Sequence, residues 1–141
     1  MLEQEIATDK GPHPIPSLGK KREVLIVDDN KAVQDVLSRM ISFLGYHVTL
    51  AGNGLEGGTL FLTNPYDLVI TDLQMPLMNG WELSRLVKER SPKTPVILVT
   101  GSYDEKHSEK IGMKCVDAII PKPFRVQEIE KTIQRLLNSG P

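Results

Sequence analysis

Cysteine is nearly absent. The single Cys115 in 141 residues excludes a disulfide within the chain and fits a reducing cytoplasm. Long apolar runs are missing too, and nothing approaches the roughly 20 residues needed to cross a bilayer. The opening MLEQEIATDK is acidic and polar, without the basic start and apolar centre of a secretory signal. Nor is there an excess of charge: 17 Lys and Arg against 18 Asp and Glu leave a formal net charge of −1, which gives no argument for a nucleic-acid partner. His13, His47 and His107 show no metal-ligand spacing, and no internal repeat is visible. What remains is a cytoplasmic chain of one domain, long enough for a hydrophobic core and too short for two comfortable ones.

Residues 1–22 stand apart. "GPHPIPSLGKKR" carries three prolines and two glycines with no sustained apolar period, and reads as a leader outside the core. The domain proper is expected over 23–141. From Glu23 onward two patterns alternate. β-branched runs at Val24–Val27, His47–Ala51, Asp67–Thr71, Val96–Thr100 and Val116–Ile120 predict five strands. Between them, helical spacing gathers Val33, Val36, Leu37, Met40, Ile41 and Leu44 on one face, with Gly45 placed as a C-terminal cap. A third helix spans about Asn79–Arg90, with Leu83, Leu86 and Val87 inward, and a last one Val126–Asn138, with Val126, Ile129, Ile133, Leu136 and Leu137 inward. Two further helices, near Leu55–Thr63 and Asp104–Met113, are weaker: the former carries Gly57 and Gly58, the latter is short and polar. Strands alternating with helices imply a parallel sheet covered on both faces.

The polar residues fall at one edge of such a sheet. Asp28 and Asp29 close the first strand, Asp72 follows the third, Thr100 ends the fourth and Lys122 lies past the fifth. Ligands of open α/β sheets bind outside these carboxyl ends, where the strand order reverses. In the order 2-1-3-4-5 the three aspartates converge, with Thr100 and Lys122 on the flank. Two carboxylates 4 Å apart repel by about 4 kcal/mol at an effective dielectric near 20. One lysine does not neutralise three carboxylates, and an all-oxygen site with open positions suits Mg²⁺. Such a site can bind a phosphoryl group while an aspartate attacks phosphorus in line.

Each residue alone has a plainer role. Asp28, Asp29 and Asn30 are all good N-caps for the helix from Lys31, Asp72 could cap or turn, Thr100 could simply end a strand, and Lys122 before Pro123 could be a surface lysine. It is their arrival from four separate strands at one edge that favours a site. A rival lies in "GNGLEG", Gly52 to Gly57, which fits G-x-G-x-x-G between a strand and a helix, with Asp72 spaced like a ribose-binding acid. That dinucleotide reading leaves Asp28, Asp29, Thr100 and Lys122 without a task, and the glycines read instead as turn residues near an edge strand. Trp81 and Cys115 read as packing residues, Cys115 as a small buried one.

"VLIVDDN", "YDLVITDLQMPLMNG", "VILVTG" and "IIPKPF" resemble the receiver domains of bacterial two-component response regulators, chemotaxis-regulator-like, from Glu23 to the final helix. The resemblance implies a flavodoxin-like, doubly wound five-stranded parallel sheet of order 2-1-3-4-5 with five helices. It implies Asp72 as phosphoacceptor, Asp29 as direct Mg²⁺ ligand, Asp28 as the acid orienting metal-bound water, and the Gln74 backbone carbonyl as a further ligand. Thr100 and Lys122 match the hydroxyl and ammonium that meet the phosphoryl group, and the Lys122-Pro123 bond is expected to be cis. The family often has Tyr or Phe three residues before the lysine. Here Ile119 leaves two outcomes open, a muted switch or one rerouted through Tyr103. Gly101 predicts no side-chain barrier at the site.

The implied function is a phosphoacceptor module, not a turnover enzyme. Its partners would be a histidine kinase or histidine phosphotransfer protein, and an output protein or domain on the face of the fourth helix, fifth strand and fifth helix; no nucleic acid and no membrane is involved. The alternative is a phosphorylation-independent interaction module of the same fold. Past the last helix no DNA-binding or catalytic output segment is visible.

Overall fold

The computed structural model describes residues 21–101 and 115–138. In chain order the elements are β1 (Glu23–Val27), α1 (Lys31–Phe43), β2 (His47–Ala51), α2 (Gly54–Thr63), β3 (Leu68–Thr71), α3 (Gly80–Arg90), β4 (Val96–Thr100), β5 (Ala118–Pro121) and α4 (Val126–Asn138). All strand pairs are parallel, in the order β2-β1-β3-β4-β5. The sheet order is the expected 2-1-3-4-5. The helix expected near Asp104–Met113, Tyr103 and the leader through Lys20 lie outside the described residues.

Side-chain alternation explains the continuous apolar strands. Val24, Ile26, Leu68, Ile70, Ile97 and Val99 point to one face and are covered by Leu37 and Ile41 of α1 and Ile129 and Ile133 of α4. Leu25, Val27, Val69 and Val96 point to the other and are covered by Phe61 of α2 and Leu83 and Val87 of α3. Both faces are buried, so no strand position between Val24 and Val27 can be polar. No helix among the described residues is long and apolar enough to cross a membrane.

Several boundaries and faces differ from expectation. In α1, Val36 is 45% exposed and Gln34 is buried in its place, because the Gln34 amide finds two backbone carbonyls under the helix. Val126, at the start of α4, is also largely exposed. β5 begins at Ala118 rather than Val116. Asp117 is held just ahead of the ladder, its N–H donating to the Val96 carbonyl and its carboxylate accepting from Val96 N–H and Lys88 Nζ. Cys115 is half-buried, not buried. Trp81 is a packing residue, at 3% exposure, although its indole N–H has no partner among the described residues.

The glycines of "GNGLEG" are not turn residues throughout. Asn53 caps α2 by accepting from Glu56 N–H at 2.8 Å, and Gly54 and Gly57 lie within the helix. A Cβ at Gly54 would collide with the Met78 carbonyl oxygen, and one at Gly57 would lie 2.7 Å from Val27 Cγ2. They let α2 approach β1 and the loop before α3.

Alanine gains about 1 kcal/mol of helix propensity over glycine, whereas overpacking costs about 1–3 kcal/mol. At Gly57 the contact with Val27, on a central strand, decides the sign. Gly57→Ala is expected to lower the unfolding free energy by about 1–2 kcal/mol. Gly58→Ala, whose Cβ comes nearest the movable Leu86 methyl at 3.3 Å and meets Leu83 Cδ1 and Met78 Sδ at an ordinary 3.8 Å, should be neutral or better. Urea denaturation of the two variants checks this, and equal stabilities would contradict it.

Candidate functional site

The site is built at the carboxyl edge of the sheet, where buried strands give way to helix N-termini. At the end of β1 the capping duty goes to Asn30, whose side chain accepts from Val33 N–H at 3.1 Å. Asp28 and Asp29 are thereby released from capping. Asp28 is almost wholly buried, its Oδ1 accepting from Asn30 N–H at 2.8 Å. Asp29 is exposed and its carboxylate makes no hydrogen bond or ion pair among the described residues. Asp72 follows β3, with its N–H on the Val27 carbonyl at 2.9 Å, so the ends of β1 and β3 are locked in register. Carboxylate oxygens of Asp28, Asp29 and Asp72 lie within 4.8 Å of one another.

Lys122 reaches in from the loop after β5. Its Nζ stands 3.3 Å from Asp28 Oδ2 and 3.5 Å from Asp72 Oδ1. Its backbone N–H donates to the Thr100 carbonyl at 3.0 Å, and the Lys122-Pro123 bond is cis. Thr100 is buried at the end of β4. Gln74 is exposed in the loop between β3 and α3. Gly101 is exposed, and among the described residues a Cβ there would meet only Lys122 Cβ, at 3.8 Å. Ile119 packs half-buried against the small apolar cluster of Leu73, Trp81 and Leu98.

The loop from Asp72 into α3 is tightly determined. Gly80 donates its N–H to the Leu73 carbonyl at 2.7 Å, and a Cβ on Gly80 would collide with the Asp72 carbonyl oxygen. Asn79 and Glu82 form a reciprocal capping box that fixes the start of α3. Just before this cap Leu77 takes φ +76°, and Met78 N–H donates to the Pro76 carbonyl at 2.8 Å, a γ-turn that puts a leucine in a conformation rarely adopted by non-glycine residues. Sequence reasoning missed Leu77. Gln34 was missed as well, and nothing in a single sequence marks a helix glutamine as buried.

Burial raises the Asp72 pKa above the ordinary carboxylate value, and the Asp28 charge raises it further. The Leu73 N–H and the Lys122 ammonium pull it down, without cancelling the rise. A carboxyl whose folded pKa exceeds its unfolded one binds the proton more tightly when folded. Stability is therefore undiminished below the ordinary carboxylate range and is lost as pH climbs through the raised value. In metal-free buffer at neutral pH, Asp72→Asn should unfold at higher urea than the natural protein, and the advantage should vanish in acid below about pH 4. Urea titrations across pH check this, and a less stable Asn variant at neutral pH would contradict it.

The geometry can be set beside known proteins. The family model for the response regulator receiver domain matches residues 24–134. The chain is 33% identical over 118 residues to the transcriptional regulatory protein CusR of Escherichia coli, covering 84% of this chain and 52% of CusR. It thus spans about half the length of that relative. Among solved structures it resembles a CheY-like receiver domain protein of Methanospirillum hungatei, with a TM-score of 0.81 at 28% identity, covering 85% of this chain and 96% of that one. It also resembles the response regulator TrrA of Thermotoga maritima, solved in complex with Mg²⁺-BeF, with a TM-score of 0.76 at 28% identity over 82% and 99% of the two chains. With an acidic edge, an inward lysine, this strand order and these matches, the chain belongs to the receiver domains of two-component response regulators.

Proposed function

We propose that this receiver domain accepts a phosphoryl group on Asp72 from a phosphohistidine of a partner histidine kinase or histidine phosphotransfer protein, with Mg²⁺, and signals through the change that follows. The observation that carries the reading is the convergence of Asp28, Asp29 and Asp72 on one pocket with Lys122 as counter-charge. Three ionised carboxylates against one ammonium leave a surplus of two negative charges (three minus one), which a divalent cation offsets. The donors fit Mg²⁺ chemically: all are hard oxygens, and Asp29 is exposed with a carboxylate that no other described residue engages. Carboxylate oxygens that all lie within 4.8 Å of one another are close enough for one hard cation to be held by them, directly or through water. Asp29, Asp72 and the Gln74 carbonyl are assigned as direct ligands, and Asp28 as the water-orienting acid. When bound, the ion neutralises phosphoryl oxygens facing the acidic pocket.

The remaining work falls to the chain's own side chains. A carboxylate oxygen of Asp72 attacks phosphorus. The new O–P bond forms as the P–N bond to the partner imidazole breaks, and the imidazole keeps the electron pair. Lys122, already 3.5 Å from Asp72, meets the incoming charge together with the Thr100 hydroxyl. Hydrolysis of the acyl phosphate later restores the carboxylate. Exposed Gly101 leaves water and donors an open approach. The phosphoryl charge is expected to redraw the surface that includes β5 and α4, where an output partner would read it. We take Glu23 onward as the domain, residues 1–22 as a leader, and the cytoplasm as its setting.

Incubation of the full chain with MgCl₂ and acetyl phosphate should add one phosphoryl group by intact mass, lost in Asp72→Asn. Lys122→Ala and Thr100→Val should slow the reaction by about tenfold or more. No modification of the natural chain, or equal modification of Asp72→Asn, would contradict the reading and favour a module that signals by binding alone.

A further inference from the structure

Gln34 is a polar residue on the core side of α1, 8% exposed, in a row otherwise filled by Leu37 and Ile41. Its Nε2 donates to the Asp28 carbonyl at 2.6 Å and to the Ala51 carbonyl at 3.2 Å. The Ala51 carbonyl also accepts from Asp28 N–H at 3.1 Å, so one amide group closes the corner where β1 and β2 both end. Asp28 is thus held at several points: its carbonyl by Gln34, Oδ1 by Asn30 N–H, and Oδ2 by Lys122.

Asp29 is the contrasting case. Its exposed carboxylate engages no partner among the described residues, so its aim is set by backbone alone. That backbone is held on one side by the Asn30 cap of α1 and on the other by the Gln34 bond to the Asp28 carbonyl. A helix face serving packing alone would put an aliphatic side chain at position 34. The buried amide is stable there because it completes the two carbonyls at the mouth of the pocket.

We propose that Gln34 is a positioning residue of the cation pocket, acting through the Asp28 carbonyl to hold Asp29 on aim and so setting the affinity for Mg²⁺. The proposal rests on the Mg²⁺ reading given above. Partners that orient metal ligands typically govern affinity by tenfold or more. Once the ion is bound, the attacking and phosphoryl-binding groups, Asp72, Thr100 and Lys122, are untouched by the change.

The test is a titration of the ¹⁵N-labelled full chain with MgCl₂, following backbone amide shifts around Asp28–Asn30 and Asp72–Leu73. Gln34→Met, which keeps length and shape without the donor, should bind Mg²⁺ about tenfold more weakly than the natural chain. With acetyl phosphate, its half-saturating Mg²⁺ should rise in parallel while the maximal rate stays within about twofold. Should Gln34→Met fail to fold, Gln34→Asn, one methylene too short to span both carbonyls, carries the same expectation. Unchanged Mg²⁺ affinity in a folded variant would overturn the proposal and leave the pocket reading intact. A lowered maximal rate at unchanged half-saturation would overturn it too. No saturable shift in the natural chain would overturn the pocket reading itself.

Discussion

The mutual repulsion of carboxylates at the end of a buried sheet is the constraint from which the rest follows. Asp28 and Asp72 are brought together by the β1–β3 ladder, and neither can retreat without breaking register in the centre of the core. Lys122 answers the repulsion only in part: burial first and the Asp28 charge second hold the Asp72 pKa up, and the ammonium does not cancel the rise. A fold that holds an unfavourable charge arrangement needs rigid supports. They are present in the Asn30 and Asn79 caps, the Gly80 contact with the Asp72 backbone and the Gln34 bridge. On the function proposed above, the same features that cost stability in the free protein would create affinity for a cation and for a phosphoryl group.

Support and chemistry are divided along the chain. The strands and the inward faces of the helices supply apolar burial on both sides of the sheet. Residues at the carboxyl edge supply polar and charged groups, and the two meet in single steps at Val27 to Asp28 and Val99 to Thr100, while in β3 the buried Thr71 precedes Asp72. The loop after β3 is tightly constrained, with a leucine at positive φ at the centre of a γ-turn and a capping box directly after it. Ile119 and Trp81 share the small apolar cluster beside it, so the aromatic bulk near the site comes from α3 rather than from β5.

Much of this was legible in the residues. Strand runs, sheet order and the site residues follow from β-branched clusters, from polar residues at strand ends and from the resemblance. His47–Ala51, Val96–Thr100 and Val126–Asn138 match the structure end for end. What could not be read depended on contacts between distant segments. Helical spacing placed Val36 inward because it weighs hydrophobicity and cannot see that two strand-end carbonyls await a donor at Gln34. Gly54 and Gly57 looked like turn residues because their reason is close approach to Met78 and Val27, both distant in sequence. The start of β5 slipped because Asp117 is claimed by Lys88 and Val96. Capping was ambiguous among Asp28, Asp29 and Asn30, and only the backbone shows that Asn30 takes it.

The central claim is that unrelieved carboxylate repulsion at Asp72 is what a divalent cation is bound to relieve. Urea unfolding of the natural protein and of Asp72→Asn, each with and without MgCl₂, tests it in one experiment. At a free Mg²⁺ concentration ten times the dissociation constant, the natural protein should gain about 1.4 kcal/mol. The Asn variant should gain much less, so that Mg²⁺ erases its advantage. Equal gains in the two proteins, or none in either, would contradict the account.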